Sequence, residues 1–128
     1  MLLIRTTLLP SQIHGIGCFT GEKIRKGQVI WELDERLDLI IPVSEIAAFP
    51  EPIREFLKMH AYVEEIDGQL ALILCGDNAR HFNHSGDPNL IDTDTQSIAA
   101  RDIEIGEELT CDYYAFDLET DYKLGLDS

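Results

Sequence analysis

The stretch Arg80-His81-Phe82-Asn83-His84-Ser85-Gly86-Asp87-Pro88-Asn89 decides how the rest of the chain is read. Its short polar residues and the Asp87-Pro88 pair favour a structured turn. So many polar side chains around the single Phe82 are nevertheless unusual for a loop that only connects. His81 and His84 stand at i and i+3 with Asp87 or Asp77 beside them, which leaves open an alternative as metal ligands. That spacing is common by chance, and no other His is close in sequence.

Toward the C-terminus lies Glu107-Glu108-Leu109-Thr110-Cys111-Asp112-Tyr113-Tyr114, an acidic strand with paired tyrosines. Cys111 is a poor nucleophile, because the neighbouring Asp112 raises a thiol pKa. Toward the N-terminus lies His14-Gly15-Ile16-Gly17-Cys18-Phe19, where two glycines flank one residue and let the backbone approach a ligand closely. A dinucleotide-binding turn would need a third glycine and a following helix. Here Thr20 holds that position and a β-like stretch follows, so a tight turn between strands is the competing reading.

Around these segments the pattern is mostly β. Residues 2–8 read as a first strand ending at a Pro10-Ser11 turn, and 18–20 and 29–31 as short strands separated by turns at Gly21 and Gly27. Ile53, Phe56, Leu57, His60 and Ala61 fall on one helical face, with Pro52 near the helix start. A shorter helix is expected over 44–49, with Ser44 capping the turn that holds Glu45. Asp67-Gly68 is a two-residue hairpin signal between strands 62–66 and 69–74. Further strands are expected over 96–100 and 109–114. EKIRKGQVI around Gly27 and RDIEIGEEL around Gly106 echo each other, which suggests a similar turn where a strand enters the core of each lobe. The expectation is one domain over 1–128, mostly β in several short sheets, with a small helical insert.

The charge narrows the partners. The 128 residues carry 24 acidic and 10 basic side chains, a net charge of -14. At 45% hydrophobic and 27% charged the composition is that of a globular protein. With no cluster of Lys or Arg, direct nucleic-acid and anionic-membrane binding are disfavoured, and a cationic partner is the natural one. The three cysteines are scattered, which argues against a disulfide framework. No stretch approaches the roughly 20 apolar residues of a membrane span. A soluble, cytoplasmic protein is expected, with secretion into a host cell as the alternative.

Taken in order, HGIGCF, RHFNHSGDPN and GEELTCDYY resemble the motifs of the SET-domain protein-lysine methyltransferases. The resemblance runs from about residue 11 to 116 and is nearest to the compact bacterial and viral members. It implies a β-clip-like fold of several short sheets with a C-terminal pseudoknot. It also implies a methyl group transferred from S-adenosyl-L-methionine to the ε-amine of lysine in a basic protein or peptide. By motif position, the backbone of His14, Gly15, Ile16 and Gly17 would contact the cofactor, with Arg80 near it. Asn83 and His84 would hold its amino-acid and adenine portions, and Phe116 would pack on the adenine, with Tyr122 as alternative. Tyr113 matches the catalytic tyrosine. Tyr62 and Cys111 would line the lysine channel with it, and the small Cys111 would leave room for di- or trimethylation.

No metal is expected, since Gly86 and the cysteine-free tail lack the zinc ligands some relatives carry. The tail 117–128, with a short helix over 118–124, or a second subunit in a homodimer, would complete the channel wall. A free lysine near pKa 10.4 costs about 4 to 5 kcal/mol to deprotonate at neutral pH. Burial beside a sulfonium lowers that cost, so no dedicated base is demanded, and a carboxylate inside the channel would hold the ammonium. The runner-up is a non-catalytic module of the same fold that binds a basic peptide or a nucleoside. A His81/His84 metallohydrolase is the third reading.

Overall fold

The computed structural model describes residues 1–93 and 95–112. Its strands are β1 (Thr6–Pro10), β2 (Ile16–Thr20), β3 (Val29–Glu32), β4 (Leu39–Pro42), β5 (Tyr62–Ile66), β6 (Gln69–Leu74), β7 (Asn83–His84), β8 (Leu90–Asp92), β9 (Gln96–Ala99) and β10 (Thr110–Cys111). They form small sheets in the orders β1-β2, β3-β9-β8, β4-β6-β5 and β10-β7. Helix α1 (Glu51–His60) and short 3₁₀ turns at Val43–Ala48 and Asn78–His81 complete the described part. Among the described residues no helix is long and apolar enough to cross a membrane.

The first strand starts later than its composition suggests. Leu2 bridges Trp31 and the Leu3 amide donates to the Ile30 carbonyl at 2.8 Å, so the opening residues belong to the edge of β3. Only from Thr6 does the chain pair with β2, and it continues through Pro10, opposite Ile16. A proline without an N–H is tolerated at the end of an edge strand.

The two echoing segments meet each other. Ile24 and Ile103 exchange both backbone hydrogen bonds, at 2.9 and 2.8 Å, and both are fully buried. Each is followed by a tight turn whose glycine, Gly27 or Gly106, lies at φ +86° or +89°. A side chain there would be strained, which is why the same pattern recurs with glycine at both places. Beside this pairing sits the main core, which includes Cys18, Ile24, Ile30, Ile73, Ile103 and Leu109.

The insert from β4 to β6 has a smaller core of Ile46, Leu57, Val63, Leu72 and Leu74. Its hairpin turns on Asp67 and Gly68, both at positive φ, with strands in the register Ile66↔Gln69. Helix α1 carries a proline in its first turn, but its apolar face divides: Leu57 is 2% exposed, whereas Ile53 is 43% and Phe56 36% exposed. The expected helix over 44–49 is instead a 3₁₀ turn that begins after Pro42, and no side chain caps it. Pro42 fixes the entry, so Ser44 lies inside the turn and not at its start.

The last described strand is Thr110–Cys111, parallel to β7. The threading expected of the C-terminal segment, the helix over 118–124, and Tyr113, Phe116 and Tyr122 lie outside the described residues.

Candidate functional site

Three segments separated by most of the chain converge on one carboxylate. Glu108 accepts the Ser11 hydroxyl at 2.7 Å and the Asn83 side-chain amide at 2.8 Å. The same Asn83 amide group donates to the carbonyls of His14 at 3.0 Å and Ile16 at 3.3 Å. Ser11 in turn accepts the backbone N–H groups of Ile13, at 2.9 Å, and His14, at 3.3 Å. The glycine turn is therefore fixed from inside by a hydroxyl and from outside by an amide, both anchored on Glu108. Charge-assisted bonds of this sort are stronger than neutral ones.

The two glycines serve different needs. Gly15 takes φ +49° with open space where a side chain would stand, which leaves the backbone approachable. At Gly17 a Cβ would run into the Glu108 carboxylate and would stand 3.1 Å from the Ser11 Cβ. Glu108 belongs to the GEELTCDYY motif, but its residue type alone does not mark it as a site residue. The signal for it was the glycine two positions after Gly15, which makes room for something bulky.

The Asn83-His84 strand is held at a second level. β7 and β10 align Asn83 with Thr110 and His84 with Cys111, and the Ser85 amide donates to the Cys111 carbonyl at 3.0 Å. Buried Asn89 locks the same junction, accepting the Thr110 amide at 2.8 Å while its own amide donates to the Glu108 carbonyl at 2.8 Å. His84 Nδ1 stands 3.6 Å from Asp112 Oδ1.

Arg80 ties this segment to α1. Its Nε donates to the Cys75 carbonyl at 3.0 Å, and its guanidinium lies 5.8 Å from the Phe56 ring centre, bracing α1 against the segment that leads into β7. His81 faces the His60 ring at 5.4 Å, so the two histidines considered as metal ligands have different partners. Among the described residues no group of three or more His, Cys, Asp or Glu side chains is placed to hold a metal ion.

Tyr62 opens β5 with its ring edge-on to Trp31, centroids 6.1 Å apart at 75°. Burial, with Cys75 and the carboxylates of Glu64, Asp92 and Asp38, pushes its hydroxyl far above the usual tyrosine range. Burial does the same to the Cys111 thiol, with Asp92, Asp112 and Cys75 adding to it, so Cys111 is held as the neutral thiol. Cys75 is likewise raised to about 12, chiefly by burial. Tyr62, Cys75, Cys111 and Asp92 thus act on one another through the same interior.

A cleft of about 680 Å³ lies elsewhere, between the end of β3 and the tip of the β5–β6 hairpin, lined by Leu33, Ile40 and Ile66 together with acidic residues. It holds none of the residues singled out from the sequence. The converging motifs, and not this opening, mark the chemistry.

A glycine turn clamped by an Asn-His strand and an acidic strand, set among several small sheets, defines a mostly β domain built around its motif segments. The chain belongs to the SET-domain family, whose model matches residues 15–114. Among solved structures it is similar to the Chaetomium thermophilum Polycomb Repressive Complex 2 bound to GSK126, at TM-score 0.70 and 23% identity over 95% of this chain and 17% of that one. A humanized mutant of that complex bound to the inhibitor GSK343 gives TM-score 0.71 and 22% identity, covering 95% and 16%. The same mutant bound to GSK126 gives 0.68 and 21%, covering 93% and 16%. At these identities the likeness is one of fold, and the chain spans about a sixth of the length of those relatives. A search of curated protein sequences finds no match.

Proposed function

We propose that the chain is a methyltransferase that carries a methyl group from S-adenosyl-L-methionine to the ε-amine of lysine in a basic protein segment. The observation that carries this reading is the convergence of Ser11, the His14–Gly17 turn and Asn83 on Glu108. A loop that only connected strands would have no use for three motifs drawn together from both ends of the chain.

The residues present fit such a cofactor. The Asn83 amide nitrogen is committed to the turn, which leaves its carbonyl oxygen as an acceptor for an ammonium group. The space over Gly15 admits a ligand against the backbone. Glu108 places negative charge behind a site meant for a sulfonium and an ammonium. The backbone of His14, Gly15, Ile16 and Gly17, with Asn83 and His84, would hold the amino-acid part and the nucleoside, Arg80 would stand near, and Phe116 would cover the adenine. When bound, S-adenosyl-L-methionine supplies a methyl group activated by the positive sulfur.

The chain's own part is to position, exclude water and bias a proton. Tyr113, two residues beyond β10, would place its hydroxyl beside the reacting amine. Tyr62 and Cys111 would wall the channel, kept neutral by their burial. The acidic run from Asp102 to Asp121, without a Lys or Arg, would steer a basic segment toward the channel. Glu108 takes no part in steering, being tied to Ser11 and Asn83. A homodimer or the 117–128 tail would complete the wall, in a cytoplasmic enzyme.

The test is methyl labelling of a cell lysate by the purified protein and by Tyr113→Phe. The wild type is expected to label lysine in basic proteins, and the variant to lose about 100-fold or more of that rate. Labelling unchanged in Tyr113→Phe would remove the tyrosine from the mechanism, and a wild type that labels nothing would remove the activity.

A further inference from the structure

One partly buried carboxylate has no part in the network around Glu108. Asp92 closes β8, and across the sheet it pairs with Ser97 of β9, which pairs in turn with Trp31 of β3. Leu90, two residues before Asp92, is 1% exposed and Ile91 between them is 53% exposed, so Asp92 lies on the inward face of its strand. Ser97 is 4% exposed and Trp31 3%. A row of Trp31, Ser97 and Asp92 therefore crosses the interior beneath Tyr62, which meets Trp31 edge-on.

This row is incompletely satisfied. Among the described residues the Ser97 hydroxyl, at 2.5 Å, is the only hydrogen-bond donor to Asp92, and no Lys, Arg or His pairs with it. Trp31 Nε1 is buried with no acceptor among the described residues. A carboxylate partly withdrawn from water with a neutral partner is unfavourable, and so is a buried indole N–H without an acceptor. Of the two, the Asp92 carboxylate, beside the candidate channel residues, keeps lone pairs for a cationic donor, and no described residue supplies one. β8 is also tied to β10 at its start, where the Asn89 amide donates to the Thr110 hydroxyl at 3.1 Å, so Asp92 and Cys111 belong to one rigid corner.

We propose that Asp92 receives the target lysine in the channel and takes the proton from its ammonium. The inference rests on the methyltransferase reading and deepens it. One N–H bond of the ammonium breaks, its electron pair stays on nitrogen as the attacking lone pair, and the proton forms an O–H bond on the Asp92 carboxylate. The acid later returns that proton to water, so nothing else is consumed.

Burial makes this transfer accessible. It raises the Asp92 pKa above the ordinary 3.8, against a smaller lowering by Ser97. The same interior lowers the pKa of an entering ammonium. The gap between donor and acceptor closes from both sides, and the neutral acid–amine pair replaces an ion pair. A fully ionised carboxylate inside the channel would hold the ammonium, and the partial burial that raises the Asp92 pKa is what lets this one take the proton instead. The other titratable groups facing this corner are Tyr62 and Glu64 on β5, Cys75 and Asp38 beyond β6 and β4, and Cys111 and Asp112 at β10. Burial keeps Tyr62, Cys75 and Cys111 protonated and out of the exchange.

The experiment uses the full chain, radiolabelled S-adenosyl-L-methionine and poly-L-lysine as acceptor, with Asp92→Asn and Ser97→Ala. Asp92→Asn is expected to lower kcat/KM by about 100-fold and to erase the acid limb of its pH profile. Ser97→Ala, which removes the bond that lowers the Asp92 pKa, moves that limb to higher pH. Without any methyl donor, Asp92→Asn melts at or above the wild-type temperature, because a partly buried charge whose described partner is a neutral hydroxyl is gone. A kcat/KM within about threefold of wild type overturns the inference, as does an Asp92→Asn protein that melts well below wild type. A wild type that labels neither poly-L-lysine nor any lysate protein overturns the methyltransferase reading itself, and this one with it.

Discussion

Ile103 and Ile53 are the same residue in two differently built regions. Ile103 is fully buried, and its backbone is bonded in both directions to Ile24, the matching position of the other echoing turn. Ile53 lies on the helix of the insert, 43% exposed, beside Phe56 at 36% and not far from Met59 at 65%. The turn-and-sheet scaffold closes on itself through hydrogen bonds and side chains together. The insert holds its helix mainly through Leu57 and through Arg80 on Phe56. The difference teaches where each can change: the scaffold fixes the motif segments, while the insert presents an adaptable surface around them.

The comparison breaks most sharply at the junction of the two regions. A Cβ on Gly76 would overlap the Leu37 carbonyl oxygen and stand 2.9 Å from its carbon, while the Gly76 amide donates to buried Asp38 at 3.2 Å. Backbone cannot yield as a side chain tip can. Gly76→Ala is expected to cost about 3 kcal/mol or more in urea unfolding and to loosen scaffold and insert alike. Next in size, Ile103→Ala should cost about 2 to 5 kcal/mol, against under about 1 kcal/mol for Ile53→Ala at its exposed helical site. Equal losses for the two isoleucines would erase the distinction drawn here.

The smallest effect concerns the seam between the regions. His81 faces His60, and burial first, then His60 and Arg80, lowers its pKa from the ordinary 6.5. The folded seam thus prefers the neutral ring, and between 6.5 and the lowered value the unfolded chain binds a proton that the folded chain refuses. Stability should fall as pH drops through 6.5 and level off below the folded value. With solvent screening the change is under about 1 kcal/mol. His81→Asn should flatten that slope in melting curves taken from pH 7.5 to about 5, and an unaltered slope would place the acid sensitivity elsewhere.

Much of this was legible beforehand because local chemistry settled it. Asp67-Gly68 could only be a tight hairpin turn, and both residues take positive φ. The order of the three motifs is legible as that of the SET family. The echo of EKIRKGQVI and RDIEIGEEL was visible as well, though not that the two segments pair directly. The limits of β1 and the 3₁₀ turn at Val43–Ala48 depart from the local pattern, because Leu2 bridges a strand far along the chain and Pro42 sets the turn's start. Those choices belong to partners that composition does not name.

The sequence by itself determined the family, the mostly β character and the segments that carry the chemistry. Each depends on residue type and spacing within a few positions. Only the tertiary structure decided that Glu108 is the anchor of the glycine turn and that Gly17 exists to admit it. Only there does Asp92 become a partly buried carboxylate in a row with Ser97 and Trp31. A carboxylate's role depends on what shares its space and how much water reaches it, and both are set by chain segments scores of residues away.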